Sequence, residues 1–222
     1  MSAPRFDIYR FIHKGLRAYL ADTLLKVGRV DFEVYADLHR AMAELDGLLD
    51  FCESHLHHEN TFIHPAMQAA VPGSADGMDA HHREHMTQIW ELRELADQAR
   101  ACEPGAREGV LAVLYRKLAL FVADNLAHMD EEESRNNALL WRHYSDAQII
   151  GIHDRLVASI PPEENAVAMQ WMLTAFNPSE RHRLLDSVRQ EAPRPVLDGL
   201  LALARGVLPA PDWQKLQLAM GV

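Results

Sequence analysis

Three residue pairs at helical spacing carry the chemistry of this chain: His55-x-x-x-Glu59, His81-x-x-x-His85 and His128-x-x-x-Glu132. Residues four apart share one face of a helix, so each pair points two ligand-type groups the same way. A buried carboxylate is costly unless something compensates it, and for a histidine and a glutamate together a metal ion does so. Two imidazoles four apart can bind one ion from one helix face. His13 is a further candidate. A lone inward histidine is by itself an ordinary hydrogen-bonded core residue, and His13 gains weight only beside the three pairs.

The elements that must position these groups are amphipathic helices. Leu38, Ala41, Leu45, Leu48, Cys52, His55, Glu59 and Phe62 recur at alternating three- and four-residue steps, the inward seam of a long helix. Leu111, Leu114, Leu118, Phe121, Asn125, His128 and Glu132 repeat the pattern. In both, an apolar seam turns into histidine plus glutamate. Two such seams suggest one shared site.

Neighbouring residues compete for these roles. His58 lies three residues from His55, but only His55 continues the apolar register. His82 is the alternative to His81, without a histidine partner four residues away. Glu133 is a rival to Glu132, whereas Asp130 and Glu131 read as a solvated face. His57 and Glu53 fall off the seam.

The boundaries follow from turn and cap residues. The first helix is expected over Arg5 to about Val27, with Gly28 ending it. The second runs from an N-cap near Asp31 to about Met67, with Pro65 as a point where it could break. Val71 to Asp79 reads as a loop, and the third helix covers about Asp79 to Arg100, with Met78, His81, His85, Ile89 (or Gln88), Leu92 and Ala96 inward. Ala101 to Gly109 reads as a turn before a fourth helix from Val110 to Trp141. Four long helices on short turns predict an all-α, up-down-up-down four-helix bundle over residues 1–145. Residues 146–222 read as a C-terminal extension of short helices punctuated by Pro161, Pro178, Pro193 and Pro195. No ligand pair occurs there. The extension is expected to pack on the bundle or to mediate homo-oligomer formation.

Bulk properties narrow the partners. In 222 residues, 48% hydrophobic, a sizeable core is available, and the net charge of −10 argues against nucleic acid or an anionic membrane surface. Cys52 falls on a seam and Cys102 in a turn, so no disulfide framework is expected. Met1 to Phe6 has no apolar signal region and no apolar run reaches the length of a membrane span; a cytoplasmic protein is the expectation.

The ordered set His13, His55-x-x-x-Glu59, His81-x-x-x-His85 and His128-x-x-x-Glu132, with the Phe62–Met67 segment FIHPAM, resembles the hemerythrin-like family, also called the HHE cation-binding domain. The resemblance covers about the first 145 residues. It implies two iron ions with an oxo or hydroxo bridge, Glu59 and Glu132 bridging, His81, His85 and His128 on one ion, and His13 and His55 on the other. Five histidines for six remaining positions leave one position open to O2, peroxide or nitric oxide. Oxygen-carrying members show His-x-x-x-x-Asp on the last helix. His128-x-x-x-Glu132 is closer to the bacterial and ubiquitin-ligase-associated branches, although His128-x-x-x-x-Glu133 echoes the carrier pattern. The implied function is binding or sensing of a small diatomic ligand, peroxide or iron. A di-iron oxidoreductase or iron–sulfur repair protein is one rival, a metal-free interaction module the other.

Overall fold

A computed structural model describes residues 5–222; residues 1–4, part of the Met1 to Phe6 stretch considered above for a signal region, lie outside it. The described residues form helices and no strand: α1 Arg10–Gly28, α2 Tyr35–His58, α3 His64–Ala70, α4 Asp76–Ala101, α5 Pro104–Glu131, α6 Asn137–His143, α7 Asp146–Ser159, α8 Pro162–Ala175, α9 Pro178–Glu191, α10 Arg194–Val207 and α11 Ala210–Met220. Two single π-helical turns, Glu59–Ile63 and Glu132–Asn136, join α2 to α3 and α5 to α6 without a break. Contacts divide the described residues into two units, 5–10 with 19–159, and 11–18 with 160–222. No described helix is long and apolar enough to cross a membrane.

In the first unit, side-chain pairs fix the helix directions. Lys26 reaches Glu44 at 2.8 Å, and the Tyr19 and Phe51 rings lie 5.9 Å apart, so α1 and α2 run antiparallel. Arg100 pairs with Asp46, and Arg93 with Asp50 and Glu53 at 2.7 and 2.8 Å, giving the same relation between α2 and α4. Lys117 meets Glu91 at 2.5 Å and Gln88 donates to Asp124 at 2.8 Å, which sets α5 antiparallel to α4. These pairs lie on solvated rims and are worth little individually. Stability comes from the buried seams between them: Leu38, Leu45, Leu48 and Cys52 from α2, Ile89, Leu92 and Ala96 from α4, and Leu114, Leu118 and Phe121 from α5. Burial pushes the Cys52 thiol up to about 12, and both cysteines are free.

Several boundaries differ from the sequence expectation, each for an identifiable reason. The first helix begins at Arg10 because Asp7 accepts from the Tyr9 and Arg10 amides at 3.1 and 3.0 Å. Arg5, expected inside it, donates to the carbonyls of Trp141 and Tyr144 at 2.9 and 2.7 Å and pairs with Asp146. Gly28 ends α1 without a left-handed backbone; a Cβ there would meet the Tyr115 ring at 2.7 Å, so close approach explains the glycine. α5 starts at Pro104, where proline at the first helical position is tolerated, and only Cys102 and Glu103 remain of the expected nine-residue turn.

α7 belongs to the first unit, although the sequence places the domain boundary at residue 145. Its Ile149 and Ile152 are buried with Tyr9, Ile63, Met67 and Leu140. They form an apolar layer at the α3 and α6 end of the unit. The second unit has its own core of Leu173, Leu185, Leu197, Leu201, Ala204 and Leu216. Asn177 and Glu180 close a capping box at the start of α9. Glu180 also takes Lys14 at 2.6 Å. Arg181 donates to the Leu173 carbonyl at 2.7 Å and pairs with Asp212 at 3.3 Å.

Candidate metal centre

Glu59 and Glu132 are almost wholly buried, at 1% and 0% exposure. Each follows an α-helix that ends on histidine-bearing turns, and each opens a π turn. The His64 amide bonds to the Glu59 carbonyl and the Asn137 amide to the Glu132 carbonyl, five residues back in both cases. Such wide turns release a carbonyl from the α-helical ladder and are common at functional sites. Thr61 and Ser134, each two residues after the glutamate, donate at 2.7 Å to the carbonyls of His57 and Asp130. The motif Glu-x-Thr/Ser thus appears twice at matching places. The sequence held that signal, but helical periodicity alone does not register it.

Around the two glutamates the imidazoles converge. His55 Nε2 lies 3.3 Å from Glu59, His128 Nε2 3.4 Å from Glu132, and His82 Nε2 3.6 Å from Glu59 and 3.9 Å from Glu132. These separations exceed good hydrogen-bond lengths. His82 Nε2 and His128 Nε2 are 3.0 Å apart. Two nitrogens about 2.1 Å from one ion and at right angles across it would be about 3.0 Å apart. One ligand atom from each of Glu59, His82, His128 and Glu132 falls within 4.8 Å of the others, and His55 meets the same criterion with Glu59 and Glu132. The two subsets therefore share both carboxylates.

On α4 the inward line is Met78, His82, His85, Ile89, Leu92, Ala96 and Ala99. His82 occupies the buried place assigned from sequence to His81. His81 is half-buried and stands edge-on to the His128 ring at 5.8 Å. The seam alternates steps of four and three, which the preference for a His–His pair four apart overrode. His85 is buried, with its ring 4.9 Å from that of His128, and its Nδ1 has no hydrogen-bond partner among the described residues. Glu132 is the buried carboxylate and Glu133 is half-buried. His58 is buried but lies 3.5 Å from Ser54 through Nδ1, while His57 is exposed. His13 is completely buried on the part of α1 that groups with the second unit.

The electrostatics match a site built for cations. Burial raises the Glu132 carboxyl well above its ordinary range, reinforced by the charge of Glu59 and a hydrogen bond to it. Burial lowers His82 to about 4 and His128 to about 2, neighbouring histidines adding to the effect and Glu59 opposing it. At neutral pH the imidazoles therefore offer lone pairs while the metal-free glutamate pair retains a proton. Tyr9, also raised by burial and by Glu132 and Glu59, receives a hydrogen bond from Asn136 at 3.4 Å. Tyr9, Asn136, Asn60 and His64 were not singled out from sequence as parts of the site, because their neighbours here come from distant helices.

These shifts set the pH dependence of the metal-free protein. Between the ordinary histidine value of 6.5 and the folded values, the unfolded chain binds protons that folded His82 and His128 refuse, so stability falls on acidification. Glu132 acts oppositely: folded, it keeps a proton that the unfolded carboxyl releases above 4.5, so its effect is to lower stability as pH rises. Burial lowers His85 in the same direction, so below 6.5 the histidines outweigh the one carboxyl by at least one proton, a net slope of at least about 1.4 kcal/mol per pH unit; above it the carboxyl acts alone. Urea unfolding of metal-free protein across a pH series is expected to give maximal stability near 6.5. A monotonic profile would contradict these protonation states.

The family model described as Hemerythrin HHE cation binding domain matches residues 6–140. No curated protein and no solved structure matches the chain.

Proposed function

We propose, from the premise that the chain belongs to the hemerythrin HHE cation-binding domain family, that its buried cluster is a non-haem di-iron centre in an up-down-up-down four-helix bundle, binding or sensing a small diatomic ligand or peroxide. The observation that carries the reading is the sharing of Glu59 and Glu132 by two sets of histidines. In it, His55 would hold one ion and His82 and His128 the other, with Glu59 and Glu132 as carboxylates available to both. His85 stands beside His128 as a further donor. His13 is kept in the set for its seam position and complete burial. His82 takes the role that spacing gave to His81.

Shared carboxylates with imidazoles favour iron over zinc. Iron held here would supply a redox-active Lewis acid for O2, peroxide or nitric oxide. The chain's own contribution is to exclude water with the apolar layer of Ile63, Met67, Leu140 and Ile149, to keep the imidazoles neutral, and to hold a proton on Glu132 until a cation replaces it.

The test is metal content with an optical spectrum on anaerobically reduced, iron-loaded protein before and after air. About two irons per chain are expected, as in di-iron bundles, with new absorption on exposure to air. His82→Ala is expected to lose iron, whereas His81→Ala retains it. Zinc alone, or no metal, under iron-replete conditions would overturn the assignment.

A further inference from the structure

We propose that Asn60 is the positioning residue of His82: its side-chain carbonyl accepts a hydrogen bond from Nδ1–H, so that Nε2 presents its lone pair to the Glu59–His128–Glu132 cluster. The inference rests on the reading of His82 as a ligand. His82 Nδ1 and Asn60 Oδ1 are 2.8 Å apart, and the opposite ring nitrogen is the one that faces His128 and both glutamates. A neutral imidazole carries one N–H, and only the other nitrogen can bind an ion. Whatever accepts the proton at Nδ1 therefore decides whether Nε2 is a donor or a ligand.

Asn60 can do this because of the π turn. Glu59 and Asn60 are adjacent; the turn that buries the Glu59 carboxylate also brings the next side chain to the outer edge of the His82 ring. A second contact fixes the ring plane. His64, at the end of the same turn, stacks on His82 with centroids 4.8 Å apart and planes 26° apart. His64 is itself held by Asp79 at 2.6 Å from its Nδ1. Face and edge of His82 are thus set by residues outside the converging donors. The neighbouring histidine adds a constraint: His82 Nε2 and His128 Nε2 lie 3.0 Å apart, so both cannot carry a proton there, and the Asn60 contact leaves His82 Nε2 unprotonated.

An asparagine amide turned over would donate into Nδ1 and place the His82 proton on Nε2, where it blocks coordination. The experiment separates these arrangements. Long-range 15N correlation on the imidazoles of metal-free protein at pH 7, with His82 assigned by its loss in His82→Gln, is expected to show the Nδ1–H tautomer. Asn60→Asp, which keeps an acceptor, retains that tautomer and Fe(II) affinity within a few-fold under anaerobic titration. Asn60→Leu shifts His82 toward the Nε2–H form and weakens Fe(II) binding by about 10- to 100-fold, with the metal-free helical content unchanged. An Nε2–H tautomer in the wild type, or an Asn60→Leu protein with unaltered tautomer and affinity, overturns the proposal. If His82→Ala itself binds Fe(II) as the wild type does, the ligand reading fails instead.

Discussion

Replacing Glu132 with glutamine is expected to empty both metal positions while leaving the metal-free fold at least as stable. Glu132 is common to both histidine groupings, so in the proposed centre a single change would remove a ligand from each ion. Glutamine matches the glutamate in shape but carries no charge. In the metal-free protein that charge is already suppressed, because burial and Glu59 keep Glu132 protonated. The amide can donate to Glu59 as the acid does, so the change in unfolding free energy is expected to stay within about 1 kcal/mol. Metal content, by contrast, should fall from about two ions per chain to near zero, since an amide is a weaker ligand for a hard cation than a carboxylate. Paired metal analysis and urea unfolding of the metal-free variant read the two effects separately. Retention of the full metal complement would remove Glu132 from the centre.

Stripping metal from the wild type is expected to lower its melting temperature by about 10 °C. A ligand present at a thousand times its dissociation constant stabilises by about 4 kcal/mol, and each kcal/mol shifts a domain of this size by about 2–4 °C. The size of the effect depends on pH in a stated direction. Cation binding displaces the proton shared by the glutamates, and acid opposes that displacement. Metal-free protein weakens as pH rises above 6.5 because Glu132 is held against its own ionisation, whereas bound cations remove that burden. The gap between loaded and stripped protein should therefore widen from pH 6.5 to pH 8. Thermal melts with and without a chelator at several pH values measure it. Superimposed curves would mean that the polar seam is satisfied without metal.

Periodicity determined a large share of this protein. The steps from Leu38 to Cys52 and from Leu111 to Phe121 located two buried seams, because a helix that must bury one face repeats its apolar residues at fixed intervals. The places where those seams turned to His55, Glu59, His128 and Glu132 marked the polar cluster, since a carboxylate on an inward face demands compensation. The short helices after residue 145 were legible from their prolines and from Asn177, which act locally.

Contacts between distant residues decided the rest. His81 and His82 are adjacent, and two local rules conflict there: the His–His spacing favours His81 and the four-and-three seam favours His82, which the fold buries with its Nε2 3.0 Å from that of His128. The π turns at Glu59 and Glu132 have no periodic signature, because one widened turn shifts the register without changing composition. Arg5 left the first helix for carbonyls more than 130 residues away. α7 joined the first unit because Ile149 and Ile152 found Ile63 and Met67. Sequence spacing specified which helix faces had to be buried and which groups on them needed compensation. Tertiary packing chose among neighbouring candidates, because hydrogen-bond acceptors such as Asn60 and partners such as His64 meet their histidine only after the helices have come together.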